Sequence, residues 1–264
     1  MFKVGIIGCG NMGEAIIKGL IEKAGVNSTS IVVNDINKER QNYIIEKYNV
    51  AGSDIKKVVN LSEIVFLVVK PKDLEETLNP VKDVFKENQI LISVLAGVKI
   101  KKIKSIVEKP VIVRIMPNTP ALIGEGVIGV SFEREIEKKQ EIIDLLKSLG
   151  EVFEVKEELL DVITGLSGSG PAYVFTFIDA LAQGGVKMGL SYQDALKIAT
   201  QTVLGSAKLL KETQDHPAVL RDKVSSPAGT TIYGLHELEK KNFKDAVISA
   251  VETATKRSKE LSGD

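Results

Sequence analysis

Short apolar runs recur through the first 157 residues, separated by segments whose apolar positions follow helical spacing. Mostly apolar runs at residues 3–7, 31–34, 64–69, 89–94, 111–116, 126–131 and 151–155 are predicted to be buried strands. Helices are predicted between them, including residues 38–48 and 135–148. Apolar strands that alternate with helices are typical of a parallel sheet covered on both faces. We therefore predict an α/β fold with a doubly wound parallel sheet over residues 1–157.

From about residue 157 the pattern changes to helices alone. Long helices are predicted at residues 171–186, 191–211 and 243–261, with a flexible joint of mostly small residues at 165–170. The first of these helices is apolar nearly all round, which is typical of a helix buried on every side. About a hundred residues of helix offer little cover for it. We therefore predict an all-α domain over residues 158–264 that is completed by a partner subunit.

The composition indicates a location and excludes some partners. Among 264 residues, 35 Lys and Arg balance 35 Asp and Glu, so we expect neither a nucleic acid nor an anionic membrane as partner. The single cysteine, Cys9, excludes an internal disulfide and indicates a reducing compartment. No apolar run reaches the length of a membrane span, and the first strand begins at Lys3 with no space for a targeting peptide. We expect a cytoplasmic protein.

A glycine-rich segment, residues 8–13, follows the first predicted strand and reads Gly-Cys-Gly-Asn-Met-Gly. Between a strand and a helix, this pattern is the fingerprint of a Rossmann-type dinucleotide site. Gly8 permits the tight turn, Gly10 lets a pyrophosphate reach the backbone, and Gly13 lets helix and strand pack closely. Asp35 ends the second strand, where a residue that contacts the adenosine ribose belongs. A glycine turn without a ligand is the alternative.

A late segment, Val-Ser-Ser-Pro-Ala-Gly-Thr-Thr-Ile at residues 224–232, interrupts the helical region. Pro227 is predicted in the first turn of a new helix, and the two small residues after it permit close approach to the backbone. Thr230 and Thr231 place hydroxyls beside the free amides of the helix start, which attract an anion. The segment predicts a pocket for a small carboxylate, and an ordinary capped helix is the alternative.

Five motifs are spread from the first strand to the last helices. They are residues 8–13, Val69-Lys70-Pro71, residues 114–120 (Arg-Ile-Met-Pro-Asn-Thr-Pro), residues 167–173 (Ser-Gly-Ser-Gly-Pro-Ala-Tyr) and residues 225–231 (Ser-Ser-Pro-Ala-Gly-Thr-Thr). Together they resemble the pyrroline-5-carboxylate reductase family. One departure is Ala228, where the family usually carries a second glycine. The resemblance implies hydride transfer from NADPH or NADH to the cyclic imine of 1-pyrroline-5-carboxylate, the closing step of proline synthesis.

The resemblance also implies which residues form the sites. The cofactor would be contacted by Ile7, Gly8, Cys9, Gly10, Asn11, Met12, Val68, Val69, Lys70, Pro71, Ala96 and Gly97, and the fingerprint and the second strand add Gly13, Asn34 and Asp35. The substrate carboxylate and imine nitrogen would be surrounded by Ser226, Gly229, Thr230 and Thr231, with the Thr231 hydroxyl as the catalytic group. A homodimer intertwined through the C-terminal helices is implied as well, assembled further into a ring such as a decamer. Neither histidine has a Cys or carboxylate cluster around it, so no metal site is predicted.

Two other functions fit the two-domain pattern. A hydroxyacid dehydrogenase needs a catalytic lysine early in the interdomain helix, whereas no lysine follows Gly170 before Lys187. A non-catalytic regulator that binds a dinucleotide would leave the Thr230-Thr231 motif unexplained.

The motif regions contain no histidine–carboxylate pair of the kind used in acid–base catalysis. This agrees with a cyclic imine that takes its proton from solvent.

The end of the second strand also bears on the choice of cofactor. An acidic side chain there repels the 2′-phosphate of NADPH, and Asp35 is expected to accept hydrogen bonds from the 2′-hydroxyl of NADH. Against this, Lys38 and Arg40 follow within one helical turn and could fold over a phosphate, and Asn34 could face the ribose instead. The sequence favours NADH, with both cofactors usable.

Overall fold

The structure is a computed structural model that describes residues 2–263, and these residues form one sheet of eight strands. The strands are β1 (Phe2–Ile7), β2 (Ile31–Asn34), β3 (Ala51–Gly52), β4 (Ser62–Leu67), β5 (Ile90–Ser93), β6 (Val111–Met116), β7 (Gly126–Phe132) and β8 (Gly150–Glu154). The seven predicted strands are confirmed, with ends that differ by at most two residues. The strand β3 was not predicted, because two residues carry no pattern.

The strand order in the sheet is β3-β2-β1-β4-β5-β6-β7-β8. Because β1 pairs in parallel with both β2 and β4, the winding reverses there and a crevice opens beyond the carboxyl ends of these strands. The predicted doubly wound sheet is confirmed with one correction, since β7 runs antiparallel to β6. The connection over residues 117–125 is shorter than the roughly twelve residues that a parallel crossover needs.

Helices cover both faces of the sheet. They are α1 (Asn11–Glu22), α2 (Lys38–Tyr48), α3 (Ile55–Leu61), α4 (Leu74–Leu78), α5 (Ile100–Lys104), α6 (Lys139–Lys147) and α7 (Leu160–Ile163). Alternate residues of a strand point to opposite faces. On β4, Ile64 and Phe66 therefore pack in one apolar core, while Val65 and Leu67 pack in the other. The continuous apolar pattern of the strands reflects this burial on both sides.

The chain divides into two compact units. The first runs to Ser169 and takes in the chain again from Glu252, and the second is Gly170–Val251. The second unit contains α8 (Gly170–Lys187), α9 (Tyr192–Thr213), α10 (Pro217–Val224), α11 (Thr230–Lys240) and the first part of α12 (Phe243–Ser262). The domain boundary that the sequence predicts at residue 157 marks the change from sheet to helices. By packing, however, α7 and the end of α12 belong to the same unit as the sheet.

The joint predicted at residues 165–170 contains the boundary between the two units, which falls after Ser169, but its backbone is mostly helical. A π-helix over Thr164–Gly168 continues α7, and α8 begins at Gly170. The side-chain amide of Asn118 donates a 3.0 Å hydrogen bond to the carbonyl oxygen of Ser167 in this turn. A tertiary contact of this kind outweighs the poor helix propensity of the Gly and Ser residues.

The end of α12 packs within the sheet-bearing unit. Ser258 donates a 2.6 Å hydrogen bond to the carboxylate of Asp161 in α7, and Ser262 donates to the same oxygen at 3.3 Å. Asp161 is only 2% exposed, and a buried carboxylate requires such partners. Leu261 lies against the turn after β5, since a Cβ added at Gly97 would be 3.3 Å from it. The last turns of the chain therefore complete the first unit.

The helical unit has little core of its own. The buried apolar side chains shared by α8 and α9 are those of Ala182, Ala195 and Ala199. Larger apolar side chains of the same helices face outward, and Phe175 is 64% exposed. Even with the partly buried Ile178 and Leu196 packed against it, this core buries too little apolar surface to offset the conformational entropy of about eighty ordered residues. Although α8 is apolar, no helix among the described residues combines the length and apolar character of a membrane span.

Candidate cofactor and substrate sites

The predicted cofactor residues follow strands whose carboxyl ends lie side by side. Ile7 of β1 is in register with Asn34 of β2 and Leu67 of β4, and β5 continues this alignment. The amide of Gly8 donates to the Asn34 carbonyl at 2.8 Å, and the amide of Val68 donates to the Ile7 carbonyl at 2.8 Å. The structure thus brings residues 7–13, 34–35, 68–71 and 96–97 to one edge of the sheet.

The three glycines of the fingerprint, Gly8 and Gly10 before α1 and Gly13 within it, have different surroundings. Gly8 has a φ of +102°, and a Cβ there would lie 2.2 Å from the carbonyl oxygen of Val68. A Cβ at Gly13 would lie 2.1 Å from the carbonyl oxygen of Gly8. A Cβ at Gly10 would meet no atom within 4 Å, and Gly10 is the N-cap of α1, where no side chain caps the first amides. Uncapped amides at a helix start form a phosphate site, so the loop fits a dinucleotide pyrophosphate.

A cavity of about 430 Å³ lies beside this loop. Among the predicted cofactor residues, its lining includes Ile7, Gly8, Asn34, Asp35 and Val69. The lining also includes Lys38 and six residues that the sequence analysis missed, namely Ile36, Ile55, Asp73, Glu76, Thr77 and Pro80. These six lie just after β2 or in the helical segments after β3 and β4. Ligands in such sheets bind beyond the carboxyl ends of the strands. Including the one or two helical turns that follow each strand would have found these six residues.

Asp35 is held at the cavity wall by backbone amides. Its Oδ2 accepts from the amide of Cys9 at 2.6 Å, and its Oδ1 accepts from the amide of Asn37 at 2.8 Å. The side chain of Asn34 donates instead to the carbonyl of Ser53 at 2.8 Å. Because a carboxylate has about four acceptor positions, Asp35 retains capacity for the hydroxyls of a ribose.

Glu14, in the first turn of α1, is the centre of a charged cluster. One of its oxygens pairs with Arg40 of α2, and the other accepts from Lys47 at 2.8 Å and from the Tyr48 hydroxyl at 2.9 Å. Burial of Glu14 opposes its ionisation, but hydrogen bonds from Lys47, Arg40 and Tyr48 outweigh burial and lower its pKa to about 2. The Nε of Arg40 donates to the carbonyl oxygen of Cys9 at 2.6 Å, so the cluster reaches the glycine loop.

The remaining cofactor segments lie beyond β4 and β5, and Cys9 lies in the glycine loop itself. Lys70 and Pro71 are exposed at a 3₁₀ turn over Pro71–Asp73, and Gly97 has a φ of +71°.

Burial and the Asp35 carboxylate raise the pKa of the Cys9 thiol to about 12. The thiol is therefore protonated at neutral pH, which makes it a poor nucleophile.

In the helical unit, the Ser-Ser-Pro-Ala-Gly-Thr-Thr segment joins two helices. Thr230 and Thr231 are the first residues of α11, so their predicted place at a helix start is confirmed. The prediction that Pro227 lies in the first turn of this helix is wrong. Ala228 has a φ of +55°, a left-handed conformation that ends any helical path between Pro227 and Gly229.

The four predicted substrate residues lie within one turn of each other. The amide of Gly229 donates to the carbonyl of Ser226 at 3.0 Å, and a Cβ at Gly229 would lie 2.2 Å from the Ser226 hydroxyl oxygen. Gly229 is the N-cap of α11 and has no side chain that could cap the first amides. The turn therefore offers amides together with the hydroxyls of Ser226, Thr230 and Thr231.

Thr231 differs from the threonines inside helices. In α9 the hydroxyls of Thr200, Thr202 and Thr213 each donate to the carbonyl four residues earlier. Thr231 is the second residue of α11, so no helical carbonyl stands four positions before it. Its hydroxyl is therefore available to a ligand.

We expect Ala228→Gly to raise stability. The left-handed conformation costs a residue with a Cβ roughly 1–2 kcal/mol, part of which glycine loses again through its larger unfolded-state entropy. The net gain is about 1 kcal/mol, or ~2–4 °C in Tm for a chain of this size. Ala207→Gly, inside α9, is the control and should lower Tm. Equal shifts of the same sign in the two variants, measured by calorimetry at one protein concentration, would contradict the left-handed geometry.

Comparisons with known proteins cover both units of the chain. A family model described as pyrroline-5-carboxylate reductase dimerisation matches residues 157–261, and one described as NADP oxidoreductase, coenzyme F420-dependent, matches residues 3–97. The pyrroline-5-carboxylate reductase of Aquifex aeolicus is 42% identical over 262 residues, which are 98% of this chain and 97% of that protein. The solved pyrroline-5-carboxylate reductase of Coxiella burnetii is 33% identical, with a TM-score of 0.92 over 99% of this chain and 98% of that one. The pyrroline carboxylate reductase of Plasmodium falciparum, solved with NADP bound, is 32% identical. Its TM-score is 0.89, and the match covers 99% of this chain and 98% of that one.

Proposed function

The chain belongs to the pyrroline-5-carboxylate reductase family, and from this premise we propose how its residues share the reaction. The chain is an oxidoreductase that transfers hydride from NADPH or NADH to the C=N bond of 1-pyrroline-5-carboxylate, giving L-proline in the last step of proline biosynthesis. The observation that carries this assignment is the sequence identity that spans both the glycine loop and the Thr230–Thr231 helix start.

The sheet edge holds the dinucleotide in this proposal. The first amides of α1, which no side chain caps, bind the pyrophosphate next to the uncrowded Gly10. Asp35 accepts hydrogen bonds from the adenosine ribose, and Val68 to Pro71 with Ala96 and Gly97 line the way toward the nicotinamide. The bound dihydronicotinamide supplies the hydride. The chain itself contributes orientation of the two reactants, which lowers the entropy cost of bringing them together.

The start of α11 holds the substrate in this proposal. The free amides and the Thr230 hydroxyl bind the substrate carboxylate at the positive end of the helix dipole, and Ser226 and Gly229 form the wall of the same turn. Thr231 accepts a hydrogen bond from the protonated ring nitrogen. Protonation assists the reduction because the transition state then leaves no anion on nitrogen. Since solvent can protonate a cyclic imine, the chain does not need a general acid here.

One assay with three arms tests this function. The concentration of reduced cofactor is followed in three mixtures. It should fall with reduced cofactor and 1-pyrroline-5-carboxylate, would rise with oxidised cofactor and a 3-hydroxy acid if the protein were a dehydrogenase, and should stay constant with reduced cofactor alone. Turnover is expected in the first arm only. Turnover with the hydroxy acid would indicate a dehydrogenase, and saturable cofactor binding without turnover in any arm would indicate a regulator.

We expect the active protein to be a dimer or larger, formed through the helical unit. Its core is confined to small alanines while Phe175 is exposed on α8, and exposed apolar patches mark association surfaces. Phe175→Glu should dissociate the protein and abolish turnover. Phe153→Glu changes a phenylalanine on β8 that is 46% exposed, and it should leave the assembly intact. Sedimentation velocity decides between these results, and a stable, active wild-type monomer at low concentration would refute the prediction.

Further expectations belong to the same proposal. We propose that the dimers assemble into a ring such as a decamer, which the same sedimentation experiment would resolve. We also propose a cytoplasmic location, no nucleic-acid or membrane partner, and a functional division into a cofactor domain over residues 1–157 and a substrate and dimerisation domain over residues 158–264. Variants of the full-length protein test that division, because Asp35→Ser should weaken the binding of NADH and Thr231→Ala should leave it unchanged.

A further inference from the structure

The cavity wall around Asp35 is poor in available positive charge. Three carboxylates, those of Asp35, Asp73 and Glu76, face one ammonium group, that of Lys38. The Lys38 ammonium already donates to the Asp35 carbonyl at 2.9 Å and to Gln41 Oε1 at 2.7 Å. A phosphate on the ribose would therefore need a cation from outside the wall.

Arg40 is such a cation, because it and Asp35 are both hydrogen-bonded to the backbone of one residue, Cys9. The amide of Cys9 donates to Asp35, and the carbonyl of Cys9 accepts from Nε of Arg40. The rest of the guanidinium is engaged elsewhere. One terminal nitrogen pairs with Glu14, and the guanidinium carbon lies 4.9 Å from the centre of the Tyr43 ring.

Lys47 is the second cation of α2 that Glu14 engages. Its ammonium lies 2.8 Å from Glu14 Oε1 and 2.8 Å from the Tyr43 hydroxyl oxygen. The side chain of Glu14 is only 18% exposed, against 28% for Arg40 and 45% for Lys47. The carboxylate is therefore the least accessible member of the cluster, and it holds two cations that solvent can reach.

We propose that Glu14 is a specificity-determining residue for the cofactor, which it influences by withholding Arg40 and Lys47 from a ribose 2′-phosphate. A carboxylate and a phosphate use the same guanidinium donors in the same bidentate geometry, so the two compete directly. The proposal rests on the proposed function. It adds a residue of α1 to the residue at the end of β2 as a determinant of the cofactor preference. Glu14 acts through Arg40, which makes it a positioning residue for the charge around the ribose.

The experiment measures binding without substrate, so its failure is distinguishable from failure of the proposed function, which the turnover assay reports. The full-length protein is titrated calorimetrically with adenosine 2′,5′-bisphosphate and with adenosine 5′-monophosphate, which differ only in the 2′-phosphate. Glu14→Gln should raise affinity for the bisphosphate at least fivefold and leave affinity for the monophosphate within twofold. An unchanged ratio of the two affinities would overturn the proposal, and so would an equal rise in both.

A matched control separates the pairing from a general loss of negative charge. Glu22→Gln removes the same charge from the same helix, where Glu22 lies 3.9 Å from Lys18 and is exposed. It should change neither affinity by more than twofold, and a fivefold gain with this variant would overturn the proposal.

Arg40→Gln keeps the proposal testable even if Glu14→Gln does not fold. Because Arg40 is engaged by Glu14 in the wild type, its loss should leave bisphosphate affinity within twofold. A tenfold loss would show that Arg40 already serves a phosphate, which would overturn the proposal. In the Glu14→Gln background, replacing both Arg40 and Lys47 by Gln should remove most of the gain. A gain that persists without the two cations would show that Glu14 acts by another route and would also overturn the proposal.

Discussion

Thr231→Ala is expected to lower kcat/KM for 1-pyrroline-5-carboxylate by about 10- to 100-fold, because hydrogen bonds to charged groups contribute roughly 1.5–3 kcal/mol. The hydroxyl stands at the second position of α11, where it has no carbonyl of a preceding helical turn as partner. The substitution removes one oxygen and one methyl group from a half-buried side chain. Circular dichroism and NADH binding should therefore match the wild type while steady-state turnover falls.

Two variants separate the hydroxyl from the rest of the side chain. Thr231→Ser retains the oxygen and should recover most of the activity. Thr202→Ala removes a threonine hydroxyl that is bonded to the carbonyl of Ile198 within α9, and it should leave the kinetics unchanged. If Thr231→Ala retains wild-type kcat/KM, the hydroxyl has no part in the reaction.

NADH is expected to exceed NADPH in kcat/KM by at least tenfold. The Asp35 carboxylate is fixed by the amides of Cys9 and Asn37, so it cannot swing away from a phosphate without losing both bonds. Two like charges about 5 Å apart repel by a few kcal/mol at an effective dielectric near 20. The Plasmodium falciparum relative was solved with NADP bound, and we expect this chain to differ from it in cofactor preference because of Asp35.

Asp35→Ser should raise kcat/KM for NADPH about tenfold and lower that for NADH, since the carboxylate is both the repelling group and the acceptor for the 2′-hydroxyl. Asp83→Ser is the matched control, because it removes the same charge from an exposed position outside the cavity lining. Kinetics with both cofactors at one substrate concentration test the prediction. A wild-type preference for NADPH of tenfold or more would show that Asp35 does not face the ribose.

Much of the sheet could be predicted because its strands are buried on both faces. A run such as residues 64–69 is apolar at every position, and this continuous pattern can be recognised without any knowledge of the neighbouring strands. The glycine loop could also be predicted, because contacts with adjacent backbone atoms leave no space for a Cβ at Gly8 or Gly13. The direction of β7 could not be predicted, because the residue pattern of a strand is the same in either orientation. The short connection from β6 makes the two strands antiparallel.

The interactions that the sequence could not reveal are those between distant residues. The sequence left Arg40 free to fold over a phosphate, but Glu14, 26 positions away, engages it. Residues 165–170 have the composition of a joint and yet form a helical turn that Asn118 holds from another loop. Pro227 is common in first helical turns, but the left-handed Ala228 separates it from α11. In each case a contact or a single dihedral angle overrides the local preference.

The docking of the last helical turns on Asp161 has a consequence for synthesis on the ribosome. N-terminal domains commonly fold while the rest of the chain is still being made. Here the hydroxyls that bond the buried carboxylate come from Ser258 and Ser262, and Leu261 backs the Gly97 turn at the cofactor edge. Residues 258–262 must therefore be synthesised before the sheet-bearing unit, most of which is made first, is complete. A chain that lacks these residues carries its defect at the cofactor edge, far in sequence from the missing residues.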